Sequence, residues 1–334
     1  MLRLLLTPLL LLCLLPAPAQ TYGSLFASEE VLQLTLTANL TTFLKDRGNN
    51  PQYHDAALSY KDASGAEQRF AVRIRVRGHY RRDPFICDFP PFRINFPGKG
   101  KTPAPFEGQD KLKVVAHCQD EQYIFREYYL YKIYNLLTDK SFRVRLVQIR
   151  YVDSSGGRPE ETHYGFIIES EEEMAARNGA SPLPEDISLK PADVDREALT
   201  LAYVFNFMIA NRDFDINVRQ NLKVITNGSG LPVPVPYDFD WSGMVDASYT
   251  KTTLSKGSTY EDRQKLKALC RELPEYEAAL DRLRAVREQI VQIYEASPYL
   301  SAESKAEALK NYKGFFARIN KAKYIRETFI SDCE

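Results

Sequence analysis

Net charge is what this chain most plainly lacks. Lysine and arginine number 44 and aspartate and glutamate also 44. No overall field therefore favours nucleic acid or an anionic membrane as a partner. Local metal motifs are missing too. His54, His79, His117 and His163 are scattered with no HExxH or other zinc spacing, and no two cysteines stand in a CxxC, so each histidine reads as structural rather than as a metal ligand. The 16 glycines form no glycine-rich phosphate loop. Beyond the N-terminus no apolar run approaches the roughly 20 residues of a membrane-spanning helix, and no internal repeat marks a solenoid.

What is present begins with leucine. Leu4 to Leu15 is almost uninterrupted, Pro16 breaks it, and Ala17-Pro18-Ala19 gives the small-x-small pattern cut by signal peptidases. Residues 1–19 are expected to be a cleavable signal peptide, with the mature chain starting at Gln20 and acting in the periplasm, at the cell surface or as a secreted protein. Four cysteines then remain, and an oxidising compartment permits two disulfides. Cys87 with Cys118 and Cys270 with Cys333 is the expected pairing, since each pair lies within one half of the chain; buried free thiols are the alternative.

Alternation places strands in the first half. Leu32, Leu34 and Leu36 alternate with polar residues, and Phe70, Val72, Ile74 and Val76 interleave with Arg73, Arg75 and Arg77. Residues 92–96 and 111–117 read as further strands, and 142–152 with 163–169 as a hairpin. Asp120 is placed to cap a helix running to Leu137 with two apolar faces, which predicts a helix packed on both sides. Asp195 is placed to cap an apolar helix to about Ala210, and the rest is helical by periodicity. The expected organisation is α+β: a β-rich N-terminal lobe over 20–180 and a mainly helical C-terminal lobe over 181–334.

Chemistry concentrates in two loops between the apolar helix and the C-terminal helices. One runs from Asn211 through Asp213 and Asp215 to Asn221; the other is Pro236-Tyr237-Asp238-Phe239-Asp240-Trp241, with the single tryptophan. A hairpin turned by Asn227-Gly228 is expected between them, bringing both to one end. Carboxylates gathered there repel unless a cation or proton intervenes, and hard oxygen ligands suit Mg2+ or Mn2+. In an extended segment Asp238 and Asp240 project to the same side while Phe239 turns inward. Asp213 and Asp215 also read as ordinary loop carboxylates, and Lys111 and Lys113 as a solvent-facing strand pair.

In these motifs the chain resembles the spore-coat-protein-H (CotH) family of secreted atypical protein kinases, and more closely its exported relatives of the Bacteroidetes type. The carriers are Asn211-x-Asp213 leading to Asn221-Leu222-Lys223, Pro236-Tyr237-Asp238-Phe239-Asp240, Arg77-Gly78 before Phe92-Arg93-Ile94, and Tyr164-Gly165-x-x-x-Glu169, over roughly residues 70–245. The resemblance implies an atypical kinase-like two-lobed fold and metal-dependent transfer of a phosphoryl group from ATP to a protein or other hydroxyl acceptor of the cell envelope. It implies Asp213 as the catalytic aspartate and Asn221, Asp238 and Asp240 as metal ligands. Lys113, paired with Glu127 on the helix, is the expected phosphate-binding cation, with Glu169 a further cofactor-binding residue. An inactive binding module and a metal-assisted hydrolase are the other classes that fit the acidic loops.

Overall fold

A computed structural model describes residues 24–62, 64–98, 102–251, 258–265 and 269–330. The expected signal peptide and Cys333 lie outside them. The alternating segments become β1 (Leu32–Ala38), β2 (His54–Lys61), β3 (Glu67–Val76), β4 (Phe92–Asn95) and β5 (Lys111–Val115), with a short α1 (Leu40–Phe43) after β1. Then come α2 (Glu121–Leu137), the hairpin β6 (Val144–Asp153) and β7 (Glu161–Ile168), α3 (Glu171–Arg177) and β8 (Ser181–Pro182). The remainder is α4 (Arg196–Met208), β9 (Leu222–Thr226), β10 (Val233–Pro236), and helices α5 (Tyr260–Arg263), α6 (Leu273–Ala285), α7 (Arg287–Ala296), α8 (Ala302–Ile319) and α9 (Ala322–Phe329). Among the described residues no helix is long and apolar enough to cross a membrane.

The kinase-like two-lobed fold is not what forms. The first seven strands close into a barrel in the order β1-β2-β3-β4-β5-β7-β6. Closure comes from β1, which pairs antiparallel with β2 on one side and parallel with β6 on the other, from Leu32 against Val147 to Ala38 against Asp153. Closing a sheet on itself satisfies both edges, so no open lobe remains. Its interior takes the inward half of each alternation, Leu34, Leu36, Val72, Ile74, Ile94, Leu112 and Ile149 among others. Asp153 pins the seam, accepting from Leu40 N at 2.9 Å and Thr41 Oγ1 at 2.9 Å.

A second core lies outside the barrel. It runs from the barrel's outer face at Val144, Leu146 and Phe166, through α2, to α4 and the C-terminal helices at Leu280, Ile290 and Phe315. Asp120 caps α2 as its position predicts, accepting from Gln122 N, which contributes about 1 kcal/mol. The helix is buried on more than two faces: Ile124, Tyr128, Tyr131 and Glu127 are inside along with Phe125, Tyr129 and Ile133 of one predicted face and Leu130, Tyr134 and Leu137 of the other. Asp195 likewise caps α4, accepting from Ala198 N. Strand β9 pairs with both β10 and β8, so the small sheet starts at residue 181.

Candidate functional site

Glu127 has no solvent to face, since α2 is enclosed and this residue is only 1% exposed. A buried carboxylate needs a partner. The partner is Arg81, from the loop between β3 and β4. Its Nη1 lies 3.8 Å from Glu127 Oε2, its Nη2 3.7 Å from Asp238 Oδ1, and its Nε 3.3 Å from Asp240 Oδ2. The Cys87–Cys118 disulfide, with Cα atoms 4.7 Å apart, ties this loop to the residues just before α2. Tyr80 holds its other side, its ring 5.2 Å from that of Trp241 and its hydroxyl donating to Tyr249 O at 3.1 Å. Cys270 is exposed and carries no disulfide among the described residues.

One guanidinium against three carboxylates leaves the group short of positive charge. Burial raises the pKa of Glu127 well above the carboxylate range; Arg81 opposes the rise, and Asp240 and Asp238 add to it. Burial likewise pushes Asp240 up to about 7 against Arg81, with Asp238 and Asp213 adding to the rise. Burial opposes the charge on Arg81, but Asp240, Tyr249, Glu127 and Asp238 outweigh it and push the guanidinium pKa up. Tyr249 also donates to Asp240 Oδ2 at 3.2 Å. Even so, Glu127 Oε1 is buried with no hydrogen-bond partner. A proton or a further cation would satisfy it.

Asp213 and Asn221 join this group from the end of α4. Asn221 Nδ2 donates to Asp213 O at 2.6 Å and to Asp213 Oδ2 at 2.9 Å, and Asn221 O accepts from Tyr237 N at 3.0 Å, one residue before Asp238. Gln220 Nε2 also donates to Asp213. Asn221 and Asp238 have φ of 50° and 63°, left-handed conformations that Asn and Asp tolerate better than most side chains. Asp238 is therefore not extended as the sequence suggested. Its N–H donates to Tyr131 Oη at 2.8 Å, Phe239 is fully buried as expected, and Arg81 still reaches both flanking aspartates.

Lys113 lies near Tyr237, the residue before Asp238. Its Nζ lies 4.8 Å from the centre of the Tyr237 ring. Burial lowers its pKa to about 8, Arg77, Lys223 and Arg93 lower it further, and Asp238 opposes them. Among the described residues no ion pair joins Lys113 to Glu127, because Arg81 takes that place. Glu169 is committed elsewhere, accepting from Arg177 Nε at 3.0 Å, Arg177 Nη2 at 2.9 Å and Arg143 N at 2.9 Å. Asp213, Asn221, Asp238, Asp240 and Glu127 thus come together, with Lys113 on their edge and Glu169 outside. Sequence reasoning missed Arg81 and Tyr249. Three carboxylates call for a cation, but no spacing singles out Arg81 among 44 lysines and arginines.

No protein-family model matches the chain, and no curated protein is similar to it.

Proposed function

We propose that this chain is an exported, metal-dependent phosphotransferase acting on a hydroxyl of a protein or other envelope molecule. The carrying observation is the position of Asp238. Arg81 links it to Asp240 and Glu127, and the ring centre of the adjoining Tyr237 lies 4.8 Å from Lys113 Nζ, so carboxylates and a cation flank one short segment. A divalent ion with its bound phosphates needs both kinds of surface at once. The all-oxygen donor set and the unsatisfied Glu127 Oε1 fit Mg2+ or Mn2+, which would neutralise charge on the phosphates of a nucleotide such as ATP. Asp213 orients the acceptor hydroxyl and takes its proton as the new O–P bond forms and the bond to the departing diphosphate breaks. Asn221, Asp238 and Asp240 would hold the ion, Lys113 would face the phosphate oxygens, and Glu127 acts through Arg81. The Cys87–Cys118 disulfide supports an oxidising compartment, and the motif resemblance points to the same chemistry although the fold it implies does not form.

Mn2+ at one hundred times its dissociation constant should stabilise the wild type by roughly 2.7 kcal/mol and leave Asp238→Ala unmoved in thermal melting. Labelled phosphate should pass from γ-labelled ATP to protein with the wild type and not with Asp213→Ala. A wild type that neither shifts with Mn2+ nor transfers label removes the proposal. A second reading, a binding module without transfer, is favoured by Arg81, which already serves as an internal counter-ion for three carboxylates. A metal-induced shift without transfer of label selects it.

A further inference from the structure

Two of the scattered histidines meet. The ends of β5 and β7 bring His117 and His163 ring to ring, with centroids 3.7 Å apart and planes at 19°. Glu161, two residues before His163 on the same strand, completes a set whose ligand atoms all lie within 4.8 Å of one another. We propose that His117, Glu161 and His163 form a three-ligand site for a divalent transition metal of the zinc class, separate from the acidic group around Arg81.

Three observations carry the assignment. His117 Nδ1 is buried and makes no hydrogen bond, so an imidazole nitrogen lacks its usual partner. His163 Nδ1 lies 3.1 Å from Glu121 Oε1, the carboxylate–histidine arrangement that orients a ligand ring and leaves Nε2 for a metal. Nε2 in turn lies 3.7 Å from Glu161 Oε2. All three residues line a cavity of about 770 Å³, which leaves the fourth position of a tetrahedral ion open to water. Tetrahedral bonds of about 2.0–2.1 Å set ligand atoms roughly 3.4 Å apart, so the set, now within 4.8 Å, must close by up to about 1.4 Å and one ring must turn out of the stack.

Cobalt titration of the full mature protein tests this, because a bound Co2+ absorbs visible light. The wild type and Asp238→Ala should both show the band and lose it to one equivalent of Zn2+. His163→Ala and the surface variant Glu161→Gln should lose or weaken it, and Glu121→Gln should weaken binding on the order of tenfold. A wild type with no cobalt band, or a folded His163→Ala that binds like the wild type, overturns the assignment. A band abolished by Asp238→Ala instead would also overturn it, since the ion would then belong to the acidic group.

Discussion

Arg81→Met removes the guanidinium that reaches Glu127, Asp238 and Asp240 while keeping much of the side chain's bulk. Breaking a buried ion pair by removing one partner costs about 3–5 kcal/mol. Glu127 and Asp240 are only 1% and 4% exposed, so the upper part of that range is expected, a large fraction of the roughly 5–15 kcal/mol that holds a domain folded. The loss should depend on pH. Both carboxyls already have folded pKa values above their ordinary ones, and Arg81 opposes the rise in each, so the variant raises them further. A group with a raised folded pKa contributes its stability below the unfolded value, near pH 4, and loses it as pH climbs through the folded value. The gap between wild type and variant should therefore be small near pH 5 and widest near pH 8. Urea unfolding at both pH values measures it, with equal m-values as the check that one transition is compared. Millimolar Mn2+ should raise the midpoint of Arg81→Met more than that of the wild type, because Arg81 and the ion compete for the same oxygens. A gap under about 1 kcal/mol, or one identical at pH 5 and pH 8, refutes the account of Arg81 as the counter-ion of a buried acidic group.

Reducing Cys87–Cys118, or replacing both residues with serine, releases a closure spanning 31 residues of sequence and should cost about 3–4 kcal/mol, read as a lower thermal midpoint with reductant present. Lys113 has a folded pKa near 8 against an ordinary 10.5. Between those values the unfolded chain holds the proton more tightly, so the Lys113 contribution rises with pH from about 8 to about 10.5. Comparison of urea midpoints should show Lys113→Met flatter across that interval than the wild type. Amine labelling of Lys113, followed by mass spectrometry, should turn upward near pH 8, and an inflection near pH 10 would count against the buried cationic cluster.

The elements that sequence made legible are those fixed by local rules. Asp120 and Asp195 cap the helices they were expected to cap, because a capping bond spans only two or three residues. The hairpin around Asn227-Gly228 forms as β9 and β10, which is why Asp213, Asn221 and Asp238 converge. Barrel closure was not legible. It depends on Leu32–Ala38 lying parallel to Val147–Asp153, and alternation in β1 states which residues face inward without stating which strand lies alongside. The same limit hid the partner of Glu127. Its place beside an apolar face of the helix permitted an ionic partner without demanding one, and the kinase resemblance pointed to Lys113, while Arg81 arrives on a loop held by a disulfide.

That loop links the compartment to the site. Arg81 lies six positions before Cys87, and Cys118 lies two positions before the cap of the helix that carries Glu127. Oxidation therefore restricts, in the unfolded chain as well as the folded one, how far the guanidinium can stray from the carboxylate it must neutralise. Arg47 adds to the clamp, donating to Cys87 O at 2.6 Å and also to Asp88 O. Burying Glu127 and Asp240 is tolerable only while a cation stays within ion-pair reach. A disulfide placed beside the loop that supplies the cation therefore bears on charge compensation as well as chain entropy. The reduced protein should accordingly lose more stability at pH 8 than at pH 5, as Arg81→Met does. A disulfide acting through loop closure alone would give the same loss at both.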